Sequence, residues 1–307
     1  MCTTASIHLN EKFIFARSLD LEYDFGDGIT LVPRNFQLKF RGKDTSVRHS
    51  AFIGMAKVVD GYPLFADGFN EHGVCIAGLR FPDSDAYFNI KKRDKINLAP
   101  FEIIPYILAT SKCARDAVAA MRNTHIVDIP FNDEIENTPM HFHITDGIEG
   151  AVVELSNGEL NIYEDKAGVL TNSPPYPYHL YNLAHYLNLE PGSPKTSHGA
   201  RVFSHGLMAH GLPGDYSSTS RFVKAAWLCR NACSPIGHET EVAESYIKAV
   251  SPPFGSVVSH NGGVHFTRYT ALMEPGAMKY TLSAFGMPPK SATIEKESLD
   301  EDSLRIL

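Results

Sequence analysis

Strand-like runs crowd both ends of this 307-residue chain and helix-like runs fill its middle, and that order limits the possible folds more than any other feature. Apolar, β-branched and aromatic stretches at 5–9 and 13–16 flank the turn-like Asn10-Glu11-Lys12 and predict an opening hairpin. Further strands are expected at 50–59 and 74–79, the second after a turn at 70–73. Residues 101–109 have helical breadth, and 114–121 are helical by propensity. Paired strands at 140–144 and 151–155 follow, and Asn157-Gly158 is a strong hairpin signal leading into 160–163. Helices are expected at 177–187, 221–230 and 239–250, and a long irregular surface loop rich in Gly, Pro, Ser and His at 191–218. A last hairpin spans 265–273 and 278–285 around Glu274-Pro275-Gly276, and the charged tail 290–307 is expected to pack weakly. This order does not alternate strand, helix and strand, so it favours an α+β protein with antiparallel sheets over a doubly wound parallel fold.

No linker rich in Pro, Gly or Ser separates two periodic regions, so residues 1–307 read as one domain, long enough to bury a substantial core. A formal charge of −7 offers no broad basic field to nucleic acid, so an anionic substrate has to be met by local cations. No stretch approaches ~18 uninterrupted apolar residues, and no membrane helix is expected. The N-terminus lacks the basic and apolar regions of a secretory signal. Five cysteines (2, 75, 113, 229 and 233) without such a signal fit a reducing, cytoplasmic compartment. Cys229 and Cys233, four apart on an expected helix, lack companion ligands and read as buried free thiols. His141 and His143 share a strand face, but no carboxylate or third His lies at a telling spacing, so no metal is expected. The histidines of 198–210 fall in the long loop and are expected to be exposed. No glycine-rich phosphate loop precedes a helix, so nucleotide binding is not expected.

The second residue carries the chemistry. Aminopeptidase removal of Met1, favoured when the next side chain is small, would leave Cys2 with a thiol and a free α-amine on one residue. An α-amine titrates near ~8. It can take the thiol proton directly or through one water. Alone, Cys2 reads equally as a small N-terminal residue with no role. The expected hairpin pins it at a strand start and brings Arg17 and Asp20 close. Arginine beside a thiol favours the thiolate, and a carboxylate can orient an amine. Taken singly, each also reads as half of a surface ion pair. Thiolate attack on an amide makes an oxyanion that needs fixed donors. Asn172 could offer its NH₂ where an expected strand ends in a Pro-rich turn, although by itself it reads as a turn asparagine. Arg221, by itself, reads as a surface arginine at a helix start.

The start MCTT, the segment ARSLDLEYDF and PRNF at 33–36 resemble the choloylglycine hydrolase family, which includes bile salt hydrolases and penicillin V acylases. The blocks at 65–82, 125–130, 168–174 and 211–222 continue the resemblance in family order. It implies an N-terminal-nucleophile hydrolase fold, a four-layer αββα sandwich of two antiparallel sheets between helical layers, with no cofactor. It implies Cys2 as nucleophile, Arg17 and Asp20 as thiol-polarising and amine-orienting residues, Asn172 in the oxyanion hole and Arg221 as a second active-site arginine. The main-chain N–H at Arg80 would be the other oxyanion donor. Bile salt hydrolases usually carry Asn there and many penicillin V acylases Tyr, so the Arg80 side chain is a departure. It either reaches an acidic group on the substrate or points to solvent. Leu19, Phe25, Ala66, Phe131, Ile135 and Met140 match positions lining the acyl pocket, and each singly also reads as core. A flat apolar acyl group would gain roughly 25 cal/mol per Å² buried there.

The expected activity is a cysteine amidohydrolase acting on small N-acyl amides. Conjugated bile salts lead as substrate, penicillin V follows, and N-acyl amino acids or N-acyl homoserine lactones come third. A binder that lost turnover and an acyltransferase are the alternatives. The joint presence of the five site residues argues against the binder. The resemblance also implies a homo-oligomer, a tetramer, with the 191–218 loop long enough to be an assembly arm.

Overall fold

Two-residue turns set the frame of the computed structural model. It describes the chain except residues 23–25, 27, 42, 47–48, 86, 194–198, 200, 202–204, 260–261 and 295–298, and only the backbone of 43–46. The strands in chain order are β1 (Cys2–Leu9), β2 (Lys12–Leu21), β3 (Gly28–Val32), β4 (Leu38–Phe40), β5 (Lys43–Ser46), β6 (Phe52–Val59), β7 (Tyr62–Asn70), β8 (Cys75–Arg80), β9 (Ile96–Leu98) and β10 (Thr124–Ile126). They continue with β11 (Met140–Thr145), β12 (Gly150–Ser156), β13 (Glu159–Glu164), β14 (Val169–Leu170), β15 (Val257–Val258), β16 (Val264–Glu274), β17 (Lys279–Ala284), β18 (Lys290–Thr293) and β19 (Arg305–Ile306). The helices are α1 (Ile103–Thr110), α2 (Ala114–Arg122), α3 (Tyr176–Leu183), α4 (Ser218–Arg230) and α5 (Glu239–Ala249).

Asn10, with φ of 54°, begins the turn joining β1 to β2 in a left-handed conformation that asparagine tolerates better than most residues. Asp60-Gly61 and Asn157-Gly158 have positive φ at both positions, the geometry whose twist matches the flanking strands. The strands assemble into two large antiparallel sheets. One runs β14-β1-β2-β16-β17-β18, with β15 also on β16; the other runs β13-β12-β11-β8-β7-β6-β3-β19. Alternation splits the second sheet's side chains between two cores. Ala77, Leu79 and Val152 join a cluster with Ile7 and Phe15 of the first sheet and Phe222 and Ile247 of α4 and α5. Ile76, Phe142 and Val153 face the other way, onto Ile104, Leu108 and Met121 of α1 and α2. The layer order is helix, sheet, sheet, helix, as the resemblance implied. Among the described residues no helix is long and apolar enough to cross a membrane.

Three expectations need correction. The tail does not pack weakly: β18 extends one sheet through β17, β19 extends the other through β3, and Ile294 and Leu299 are buried. Its few apolar residues are scattered among charges, so no periodicity announces them. Cys233 is not helical, because α4 ends at Arg230, and it is exposed rather than buried. The third helix is shorter than 177–187, with α3 ending at Leu183 and a 3₁₀ turn covering Ala184–Tyr186. In the 191–218 loop a 3₁₀ turn spans Leu207–Ala209, His205 and His210 are exposed, and His198 lies outside the described residues.

Candidate active site

The site opens where β7 and β8 part. These strands pair at Phe69↔Cys75, Gly68↔Ile76 and Asp67↔Ala77, and no rung follows. The next rung would join Ala66 and Gly78, and the Arg17 guanidinium occupies that gap. Its Nη1 donates to the Ala66 carbonyl, and its Nη2 donates to the Gly78 carbonyl at 2.9 Å. Nη1 also meets Asp67 Oδ2 at 2.8 Å, and Nη2 lies 3.7 Å from Cys2 Sγ. Arg17 and Asp67 are both buried; breaking such a pair from one side costs ~3–5 kcal/mol. Burial opposes the Arg17 charge, but Tyr269, Asp67 and Cys2 outweigh it and hold its pKa above the ordinary value.

Cys2 begins β1, paired with Leu19 of β2. Its N–H donates to Asn172 Oδ1 at 2.8 Å. Arg221 Nη2 donates to the same oxygen at 2.8 Å, so two donors fix which end of the amide is oxygen. Asn172 Nδ2 then donates to the Arg80 carbonyl at 2.7 Å, leaving its second N–H for another acceptor. Phe81 N donates to Pro139 O, so the neighbouring Arg80↔Met140 pair is a non-hydrogen-bonded one. Its backbone groups therefore point away from β11, which puts the Arg80 N–H on the side where its carbonyl meets Asn172. Arg221 spends its other donors on the Cys2 carbonyl, Thr3 Oγ1 and the Tyr216 carbonyl. Full burial pulls its pKa below the ordinary arginine value. Asp20 is buried too, and desolvation raises its pKa. Its carboxylate accepts from Thr267 Oγ1 at 2.7 Å and Ser18 Oγ at 3.3 Å. Met1 extends the hairpin by one residue: its amine donates to the Asp20 carbonyl, and the Asp20 N–H donates to its carbonyl at 2.8 Å.

A sequence profile described as linear amide C–N hydrolases, choloylglycine hydrolase family, matches residues 2–305. The chain belongs to the choloylglycine hydrolase family. It is a hydrolase of linear amide C–N bonds. It is 35% identical over 298 residues to a conjugated bile acid hydrolase of Lactobacillus gasseri, covering 94% of each chain. A bile salt hydrolase/transferase of Lactiplantibacillus plantarum is 33% identical over 290 residues, 91% of this chain and 88% of the relative. The crystal structure of a C2A mutant conjugated bile acid hydrolase from Clostridium perfringens superposes with a TM-score of 0.90 at 29% identity, over 100% of this chain and 96% of that one. A penicillin V acylase from Agrobacterium tumefaciens shares the fold, with a TM-score of 0.77 at 18% identity, over 99% and 90%.

Around this choloylglycine hydrolase site the expected pocket residues divide. Leu19 sits opposite Cys2, the Ala66 carbonyl touches Arg17, and half-buried Met140 stands across from Arg80. Arg80 has an exposed side chain whose guanidinium makes no hydrogen bond or ion pair among the described residues. Phe131 packs with Tyr62, Phe101 and Arg41, whose guanidinium also holds the Pro130 and Phe131 carbonyls. Ile135 shares that loop, tied through its N–H to Asn132 Oδ1 at 2.8 Å. Phe25 lies outside the described residues.

Sequence reasoning missed Asp67, Tyr269 and Tyr280. The available signal was one aspartate inside the apolar stretch between Phe65 and Phe69, where a charge has to be paired. His141 and His143 do share a face, and the fold supplies the carboxylates that spacing had hidden. His141 meets Glu154 at 3.0 Å and His143 meets Asp165 at 2.8 Å. His141 also reaches the Thr171 carbonyl at 2.8 Å, and His179 the Asn172 carbonyl at 2.9 Å, so both brace the backbone around Asn172.

Proposed function

We propose that this chain hydrolyses the amide of conjugated bile salts with Cys2 as nucleophile, after removal of Met1. The observation that carries the reading is the Arg17 guanidinium 3.7 Å from Cys2 Sγ, with the Asn172 amide bonded to the Cys2 nitrogen. Arg17 favours the thiolate, and the freed α-amine takes the thiol proton. Sulfur attacks the substrate carbonyl, and the oxyanion is met by the spare Asn172 N–H and the Arg80 main-chain N–H. The C–N bond breaks as the α-ammonium returns its proton to the leaving amine. Water, deprotonated by the same amine, then cleaves the acyl thioester. Asp20 holds the amine's charge, and Arg221 holds Asn172 in register with Cys2.

The identity to conjugated bile acid hydrolases supports the steroid conjugate as substrate. We assign Leu19, Ala66 and Met140, which lie beside Cys2, Arg17 and Arg80, to the apolar acyl part of the substrate, together with Phe131 and Ile135. The exposed Arg80 side chain, on the face of Met140, is suited to the acidic end of a glycine or taurine conjugate. We read residues 1–307 as one domain working in a reducing cytoplasm, supported by five free cysteines, and as a homotetramer. A monomer in sedimentation would remove the last of these.

Amine release from glycocholate, taurocholate and penicillin V, with Cys2→Ala as control, tests the activity. Release from the two conjugates that vanishes in Cys2→Ala is expected. A preference for penicillin V would overturn the substrate, and release that survives Cys2→Ala would overturn the nucleophile.

A further inference from the structure

Asp67 stands outside the set of groups that the hydrolytic steps use, yet it is wholly buried at the last rung between β7 and β8. Its Oδ2 accepts from Arg17 Nη1 and Tyr269 Oη, each at 2.8 Å, and its Oδ1 from Tyr280 Oη at 2.6 Å. The two phenols come from β16 and β17 of the opposite sheet, so the carboxylate is anchored across the interface between the sheets. Arg17 Nε has no hydrogen-bond partner among the described residues. The hydrogen bonds that orient the guanidinium therefore all run through its two Nη groups, with the Tyr269 ring 5.9 Å from its central carbon. The Ala66 and Gly78 carbonyls give it two neutral contacts, one from each parted strand. Asp67 adds a third point, which fixes the plane of the fork, and it carries the charge that balances the cation.

We propose that Asp67, held by Tyr269 and Tyr280, is a positioning residue that aims Arg17 Nη2 at the Cys2 thiol and shares the guanidinium's charge with it. This rests on reading Cys2 as the nucleophile. Sharing matters because Arg17 faces two anionic groups when the thiol ionises, Asp67 on one side and the thiolate on the other. The strength of one contact limits the strength of the other. Among the described residues the other ionisable groups around the pair are Tyr269, Tyr280 and the buried Cys75 thiol, and, across Cys2, Arg221 and Asp20.

The test is the pH dependence of Cys2 alkylation by iodoacetamide, followed by mass on the N-terminal peptide of Met1-processed protein. It needs no substrate, so it stays readable if no amide is hydrolysed, and the two readings can fail separately. Asp67→Asn keeps the shape and an acceptor but removes the charge. The alkylation midpoint is expected to fall by at least about half a pH unit, because the guanidinium is left with the thiolate as its sole counter-charge. On the substrate that the processed enzyme turns over, kcat is expected to fall at least about tenfold with KM within about twofold. Tyr280→Phe takes one donor from the carboxylate, strengthens its hold on Arg17, and should move the midpoint the opposite way. A midpoint that stays put or rises in folded Asp67→Asn overturns the proposal. If Asp67→Asn does not fold, Tyr280→Phe decides alone: a raised midpoint supports the proposal, and an unmoved or lowered one overturns it.

Discussion

Asn172 has one N–H left over, and the residues around it explain why its amide is held in one orientation. Its Oδ1 receives Cys2 and Arg221, its Nδ2 meets Arg80, and its backbone is held by Ser218 Oγ and His179. Arg221 is the hub, because a planar fork can serve Cys2, Thr3, Asn172 and Tyr216 together. A lysine ammonium at that position cannot reproduce the fork. Arg221→Lys is therefore expected to lower kcat by about 10²-fold with a smaller change in KM, the scale of losing one oxyanion donor. Steady-state amine release measures it, and a kcat within threefold of the parent would sink the argument. Arg17 and Asn172 were legible through their motif neighbours. Asp67 was not, because its meaning depends on phenols more than 200 positions away in the chain.

The start of α4 carries Arg221, so the capping of this helix bears on the site. Ser217 is its N-cap, accepting from the Ser220 N–H at 3.3 Å, and Asp215 buttresses the cap from outside. Asp215 accepts from the Ser217 N–H at 2.8 Å and Ser220 Oγ at 2.6 Å. Hydrogen bonds from Ser217 and Ser220 pull its pKa down to about 2. A carboxylate depressed in the folded state stabilises above its unfolded pKa, near ~3.9, and that contribution fades as pH falls towards the folded value. The carboxylate is exposed, so water screens the effect and it stays small. Asp215→Ala should lower the thermal midpoint by about 1–2 °C at pH 6, and the gap should narrow between pH 5 and pH 3. A gap that widens on acidification would contradict this. At this scale the sequence showed most elements, since the β1–β2, β12–β13 and β16–β17 hairpins each carry a local turn signal. β7 escaped notice although Asp60-Gly61 announces the turn into it, because Pro63 and Asp67 interrupt its apolar pattern. β18 and β19 escaped because short edge strands are fixed by their partners and not by their own residues.

Across the whole molecule the site draws on both sheets and one helical layer, from Cys2 at one end of the chain to Arg221 far along it. Two buried cations, Arg17 and Arg221, sit with two buried carboxylates, Asp67 and Asp20, so the interior around Cys2 is close to charge-balanced before any chemistry. The N-terminal residue enters that balance without disturbing the fold. Met1 exchanges both of its backbone groups with Asp20 and continues the hairpin, so an unprocessed chain is expected to fold as well as a processed one. Chemistry is another matter, because the Cys2 nitrogen is then an amide with no basic lone pair. A chain with a removable leader ahead of Cys2 separates the two. Before cleavage its thermal midpoint should lie within about 2 °C of the processed protein's. Amine release should be at least about 10³-fold slower and recover when cleavage exposes Cys2. Full turnover with the leader in place would remove the α-amine from the mechanism. A midpoint many degrees lower would mean that the sheet interior needs the free N-terminus to assemble.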